Sequence, residues 1–229
     1  MLSIIVPVLD EEAGIAATLQ ALSALRARGA EVIVADGASH DRTVALARPL
    51  CDRLIVAVRG RASQMNAGAS AAHGEILLFL HADTRLPEGA DRLIVDGLER
   101  SGRTWGRFDV SIDGRHPLLP VIAAMMNLRS RLTGIATGDQ AIFVATAAFA
   151  AIGGYPDLPL MEDIVLSRRL KRLGRPLCIA ARALTSGRRW EQYGVMRTIL
   201  TMWRLRLAFF LGVAPSKLAA RYGHGPRRP

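Results

Sequence analysis

The chain is expected to fold as an α/β protein with a mixed, mainly parallel sheet flanked by helices. Three observations carry that expectation. Short runs of Val, Ile and Leu alternate with stretches whose apolar residues recur every three or four positions. Gly, Asp and Ser punctuate the boundaries between them. The 229 residues, 50% of them hydrophobic, suffice for one sizeable core, and no Ser- or Pro-rich linker divides them. Strands that alternate with helices are joined by crossovers, which makes neighbouring strands parallel and covers both faces of the sheet.

Ser3 to Leu9 reads as a buried strand closed by the polar turn Asp10, Glu11, Glu12. Ile15, Leu19, Leu22 and Leu25 fall on one helical face, predicting a helix from Ile15 to Arg28 that Gly29 stops. Strands are expected at Glu31 to Ala35 and Arg53 to Val58, helices at Thr43 to Leu50 and Ala62 to Ala72, and a central strand at Glu75 to Leu80. Glu162 and Asp163 open a further helix that runs towards Gly174. Val195 to Val213 sets ten apolar residues, Trp203 and Phe210 among them, around Arg197, Arg204 and Arg206. Three Arg make this a poor membrane span; docking on the core, lying at a bilayer interface and pairing with another subunit are its three readings. The organisation expected is a main domain over residues 1–194 and a basic amphipathic helix and tail over residues 195–229.

No basic stretch precedes the first apolar run, which is also short, so a signal peptide is not expected and the protein reads as cytoplasmic, with any membrane contact peripheral on the inner face. Cys51 and Cys178 lie far apart in apolar contexts, which favours two buried thiols over a disulfide or a metal site. The net charge is +10, and its distribution is lopsided: residues 168–229 carry 15 Lys or Arg and one acid, residues 1–167 carry 15 and 19. An anionic ligand or a lipid surface accounts for that field, and the absence of a reading helix or an aromatic stacking motif argues against nucleic acid.

Acidic residues mark the ends of the predicted strands, where open parallel sheets hold their ligands. Asp36 follows Val32 to Ala35 and precedes Gly37, so it could accept hydrogen bonds from a base or ribose, or simply form the turn ahead of the helix at Thr43. His81 and Asp83 end the most apolar strand. Alternation points both the same way, a pair suited to Mg²⁺ or Mn²⁺, although a lone strand-end His more often makes an ordinary hydrogen bond. Glu162 and Asp163 suit the positive end of a helix dipole; one of them could also serve as a general base.

The order and spacing of these stations resemble the family 2 glycosyltransferases of GT-A fold, the nucleotide-diphospho-sugar transferase, Rossmann-like architecture. Ser3 to Glu12 resembles the family's first strand and nucleotide loop, and Glu31 to Thr43 its second strand with the nucleoside-binding Asp36. Arg59 to Glu75 resembles the segment before the metal-binding strand, with Arg61 near the nucleotide. His81 and Asp83 match the Asp-x-Asp motif with its first Asp replaced by His81. Gly138, Asp139 and Gln140 resemble the acceptor side, and Glu162 and Asp163 the Glu-Asp motif in which Asp163 is the base. Ser186 to Trp190 resembles the Gln-x-x-Arg-Trp motif of processive members, but Ser186 holds the Gln position, which argues against polymer synthesis. The resemblance spans about residues 1 to 190. Within the family the chain is similar to bacterial members associated with radical-SAM and selenoprotein-domain genes, called arsenosugar-biosynthesis-like, some of which carry carotenoid-acid glycosyltransferase labels.

The resemblance implies inverting transfer from a nucleoside-diphosphate sugar to an acceptor hydroxyl or carboxyl, with a divalent metal, Mg²⁺ or Mn²⁺. It assigns Pro7, Asp10, Glu12, Asp36, Arg61, Asn66, Ala82 and Asp83 to the nucleotide sugar, and Asp83 and His81 to the metal. Gly138, Asp139, Gln140, Arg188, Arg189 and Trp190 fall to the acceptor or diphosphate, and Asp163 and Glu162 to catalysis. The acceptor is a small molecule or lipid-like. A nucleotidyltransferase of similar fold and a non-catalytic nucleotide-sugar or membrane-binding module are the alternatives.

Overall fold

The computed structural model describes residues 1–222; residues 223–229, the end of the tail expected over 195–229, lie outside the described residues. Eight strands form one sheet: β1 Leu2–Val8, β2 Glu31–Asp36, β3 Arg53–Val56, β4 Ile76–Phe79, β5 Thr84–Arg85, β6 Trp105–Ile112, β7 Phe143–Ala145 and β8 Leu177–Thr185. Their order is β3-β2-β1-β4-β7-β6-β8-β5. Pairs β1/β2, β1/β4, β2/β3 and β6/β8 are parallel, whereas β4/β7, β6/β7 and β5/β8 are antiparallel. The mixed, mainly parallel sheet expected from the sequence is therefore present, with the antiparallel β7 at the junction of its two halves.

The helices are α1 Ile15–Ala21, α2 Ser23–Ala27, α3 Thr43–Ala47, α4 Arg61–Ala71, α5 Ala90–Ser101, α6 Leu119–Thr133, α7 Thr146–Ala151, α8 Glu162–Leu170, α9 Arg188–Tyr193, α10 Val195–Phe210 and α11 Pro215–Tyr222. The helix expected from Ile15 to Arg28 is broken at Leu22 into α1 and α2, and it does end at Gly29, whose φ of +92° suits a residue without Cβ. The strand expected to reach Val58 stops at Val56, and the helix expected to reach Val213 stops at Phe210. Both thiols are half-buried rather than buried, and neither is in a disulfide.

Period-two alternation sorts the core into two layers. Ile4, Val6 and Val8 pack with Leu19, Leu22 and Ile94 on one face, while Ile5, Leu77 and Phe79 pack with Met65, Phe149 and Leu166 on the other. Each fully buried Ile or Leu contributes about 1.5–3 kcal/mol. A third cluster, Met161, Ile164, Leu205 and Leu218, fastens α10 and α11 to α8.

The topology positions the site. Parallel β1, β2 and β4 end on one edge, which brings residues 9–12, 36–43 and 80–83 together. Because β7 runs opposite to β4, the Gly138–Gln140 turn ahead of it returns to that same edge, where Phe79 N–H donates to Ile142 O at 2.9 Å. Thr84 pairs with Thr185, so the segment after β8 passes over Asp83.

Candidate active site

Two loops are laced together at the ends of β1 and β2. The N–H groups of Asp10, Glu11 and Glu12 donate to Ser39 Oγ, Thr43 Oγ1 and Asp41 Oδ2 at 3.0, 2.7 and 3.0 Å. In return His40 N–H donates to Asp10 Oδ1 at 2.8 Å and Arg42 N–H to Glu12 Oε2 at 3.1 Å. Asp10 and Glu12 thus spend carboxylate oxygens on the loop itself. Buried Asp36 accepts from both the N–H and the hydroxyl of Ser39, the turn-forming contact its sequence context allowed. Pro7 is buried in β1 opposite Ala35, and Ala82 O accepts from Thr18 Oγ1.

Glu11, between the two acids the sequence singled out, is the one that faces the cleft. It lies 3.6 Å from Arg188 Nη2. Burial raises its pKa, Arg188 opposes that, the Asp83 charge adds to it, and Arg61 also lowers it. Four sequence-distant residues thereby share one electrostatic neighbourhood. Nothing local distinguishes Glu11 within a run of three acids; only strand-end geometry selects it.

Gln64, also missed, donates through Nε2 to both Val8 O and Ala35 O at 2.7 Å, tying the ends of β1 and β2 together beneath Gly37. Asn66 is bonded to the loop before α8. Its amide donates to Tyr155 O and accepts from Tyr155 N–H, both at 2.9 Å, and so holds the loop before α8.

His81 and Asp83 lie in the turn between β4 and β5, closed by Thr84 N–H donating to His81 O at 3.0 Å, so the extended alternation expected to point both the same way is replaced by a turn. His81 Nδ1 lies 3.3 Å from Asp139 Oδ1, and a Cβ on Gly138 would fall 2.3 Å from His81 Nε2, so the ring rests against the Gly138–Asp139 turn. Burial works to raise the Asp139 carboxyl, but the hydrogen bond and charge of His81, with Arg61 and Arg189, hold it below the usual range. Gly138 N–H in turn donates to Asp163 Oδ2 at 3.1 Å. One turn therefore links the end of β4 to the start of α8.

Asp163 is the most perturbed carboxyl of the site. Burial and the neighbouring Glu162 charge raise it from 3.8 to about 7, against hydrogen bonds from Gly138 N–H and Ile164 N–H. Buried Tyr155 stands close by, its pKa pushed well up by burial and by the charges of Asp163 and Glu162. Arg129 of α6 is also near: burial lowers its pKa, the Asp163 charge raises it, and its buried Nε and Nη2 have no hydrogen-bond partner among the described residues. Neither Tyr155 nor Arg129 carried a sequence signal.

Ser186 N–H donates to Asp83 O at 3.1 Å, which sets α9 beside the cleft. A Cβ on Gly187 would lie 1.9 Å from Asp113 O, so only Gly fits that turn. Arg188 reaches Glu11, Arg189 stacks at 5.6 Å on Tyr193 and contributes charge to Asp139, and Trp190 is half-buried.

Among the described residues no three His, Cys, Asp or Glu side chains gather into a self-sufficient metal cage. The donors present suit a different arrangement. Asp83 offers a hard oxygen, and His81 has its Nδ1 held by a carboxylate, the usual support of a ligating imidazole. Such a pair fits an ion that takes one or two protein ligands and completes its shell with substrate phosphates.

A sequence model of the family described as glycosyl transferase family 2 matches residues 3–153. The chain belongs to glycosyl transferase family 2. No curated protein sequence matches it. Among solved structures, S. aureus TarS 1-349 matches with TM-score 0.67 and 19% identity over 86% of this chain and 64% of that one. The mannosyltransferase PcManGT from Pyrobaculum calidifontis, in complex with GDP-Man and Mn²⁺, matches with TM-score 0.63 and 20% identity over 100% and 65%. Glucosyl-3-phosphoglycerate synthase from Mycobacterium tuberculosis, with Mn²⁺, UDP and phosphoglyceric acid, matches with TM-score 0.57 and 19% identity over 80% and 68%. The chain thus spans 64% of the length of the TarS structure. These likenesses show that this family 2 chain has the GT-A fold expected of it. Among the described residues of this family member, no helix is long and apolar enough to cross a membrane.

Proposed function

We propose that the chain transfers a sugar, with inversion, from a nucleoside-diphosphate sugar to a hydroxyl or carboxyl of a small or lipid-like acceptor. The observation that carries this reading is Asp163, a carboxyl raised to about 7 and hydrogen-bonded to the same turn that holds His81 at the end of β4. In this reading the base and the diphosphate station share the Gly138–Asp139 turn, and the hydrogen bonds from that turn support it.

In this reading Asp36 and Arg61 hold the nucleoside, and Arg188 and Arg189 meet the diphosphate. Trp190 stacks on the sugar or acceptor, with Gly138, Asp139 and Gln140 lining the acceptor side. Asp163 takes the acceptor proton as the acceptor oxygen bonds to the anomeric carbon and the bond to the diphosphate oxygen breaks. Glu162 keeps Asp163 basic enough to do so near neutral pH. Asp83 with His81 would hold Mg²⁺ or Mn²⁺, which when bound neutralises charge on the departing diphosphate. GDP-Man and UDP complexes of the structural neighbours support a nucleotide-sugar donor. The likeness to the arsenosugar-biosynthesis-like members and peripheral contact with the inner face of a membrane belong to the same reading.

Calorimetry with UDP, GDP, CDP and dTDP and their sugar conjugates, with and without Mn²⁺, identifies the donor. Asp163→Asn should then keep donor binding and lose about 10²–10⁴-fold in turnover. Release of pyrophosphate instead of a nucleoside diphosphate would identify a nucleotidyltransferase. Donor binding without turnover by the unmutated chain across acceptor classes would identify a binding module.

A further inference from the structure

We infer that α6 and α10 together form a docking surface for an anionic lipid bilayer, which rests on the peripheral membrane contact of the proposed function and deepens it by naming the surface and the lipid charge, while standing apart from the transfer chemistry. The outward face of α10 is apolar. Met196, Leu200, Trp203, Leu207 and Phe210, spaced by four and three, are 60%, 51%, 65%, 60% and 58% exposed. The opposite face already has its partners, through Val195, Thr198 and Leu205. This inverts the pattern of an ordinary surface helix, whose solvent side is polar.

A second helix, which the sequence did not single out, repeats the arrangement. On α6, Val121, Met125, Leu128 and Leu132 are 53%, 56%, 57% and 70% exposed at helical spacing, while Leu119, Ala123 and Ser130 face inward. Both ends of α6 are tied to the α9–α10 segment. Arg115 N–H, ahead of α6, donates to Glu191 Oε1 of α9 at 3.4 Å, and Ile135, just beyond α6, packs into the cluster that contains Leu205 of α10. Nine large apolar side chains are thus exposed on two helices linked through α9 and the Ile135–Leu205 cluster, an extent that single exposed residues do not reach.

Charge selects the occupant. Neither helix contains an Asp or Glu, and Arg197 and Arg204 are exposed on α10 beside Met196 and Trp203. Pairing with a second copy through α10 would set Arg against Arg with no acid on either helix to compensate. An anionic bilayer supplies the missing negative charge, accepts the apolar side chains below the headgroups, and lets the Arg stems lie along the interface with their guanidinium groups in water. Trp203, midway along the stripe, suits the same boundary, since indole favours the headgroup level. Since α10 is 16 residues, about 24 Å long, and carries three Arg, it lies on the membrane and does not cross it.

The full chain is tested by flotation with vesicles of phosphatidylcholine, with and without phosphatidylglycerol, at low and at high salt. Binding is expected only with phosphatidylglycerol, weakened by salt, and accompanied by a blue shift of tryptophan emission that Trp203→Phe removes, since Trp105 is buried and Trp190 half-buried. Leu200→Gln/Leu207→Gln and, separately, Met125→Gln/Leu128→Gln are expected to weaken binding by about tenfold or more. Arg197→Glu/Arg204→Glu should abolish the preference for the anionic lipid. These positions are exposed, and the lipid and salt dependence of the unmutated chain stands without any variant. No binding to anionic vesicles at low salt overturns the inference. So does a concentration-dependent dimer in light scattering that the Leu200→Gln/Leu207→Gln chain no longer forms, which would assign the face to a second copy.

Discussion

Burial and the Glu162 carboxylate raise Asp163 to about 7, while the N–H groups of Gly138 and Ile164 pull it back. A base must be ionised to act, so kcat/KM of the proposed reaction is expected to rise through about pH 7 as Asp163 deprotonates. Glu162→Gln removes the second-largest cause of the shift, and the acidic limb of the rate profile should move to lower pH. A limb unmoved by that substitution would separate Asp163 from the rate-determining proton. The same shift has a consequence for stability. Asp163 ionises at about 7 in the folded chain and near 3.8 in the unfolded one, so its favourable contribution is complete below about 4 and is lost as pH rises through about 7. Asp163→Asn stays neutral throughout. Its melting temperature, measured by calorimetry, should therefore exceed that of the unmutated chain by a few degrees at about pH 8 and match it at low pH.

Between elements, the cleft depends on contacts that reach across long stretches of chain. Gln64 of α4 donates both its amide hydrogens to carbonyls at the ends of β1 and β2, 56 and 29 residues away. Gln64→Ala leaves two buried acceptors without donors, at a cost of about 1–3 kcal/mol each, and should loosen the Asp36 turn. The expected outcome is a lower melting temperature together with weaker donor binding in calorimetry. A variant equally stable and equally tight would show the clamp to be incidental. The Gly138–Gln140 turn works in a similar way. Its side-chain and backbone contacts to His81 and Asp163 couple the turn after β4 to the start of α8, about 80 residues apart in the sequence.

For the whole molecule, α10 and α11 bear on the site as well as on its surroundings, because Leu205 and Leu218 pack on Met161 and Ile164, the residues on either side of Glu162 and Asp163. A chain ending at Gly194 is expected to keep the sheet but to melt about 10 °C lower, from the loss of two buried Leu. An unchanged melting temperature would show that this cluster adds nothing to the fold. The apolar stripes of α6 and α10 also belong to this scale. Alternation and helical periodicity in the sequence located nearly every element from β1 to β4 and the helices α4, α8 and α10, because strand and helix formation respond to burial patterns among near neighbours. They also put Asp36, Asp83 and Asp163 at strand or helix ends. Tertiary structure decided the rest. It paired Glu11 with Arg188, tied Asn66 to Tyr155, set the antiparallel β7 between β4 and β6, and brought Arg129 and Tyr155 to Asp163. Those outcomes follow from distances between residues far apart in the chain, and a carboxyl's charge responds to what surrounds it in space, not to what precedes it in sequence.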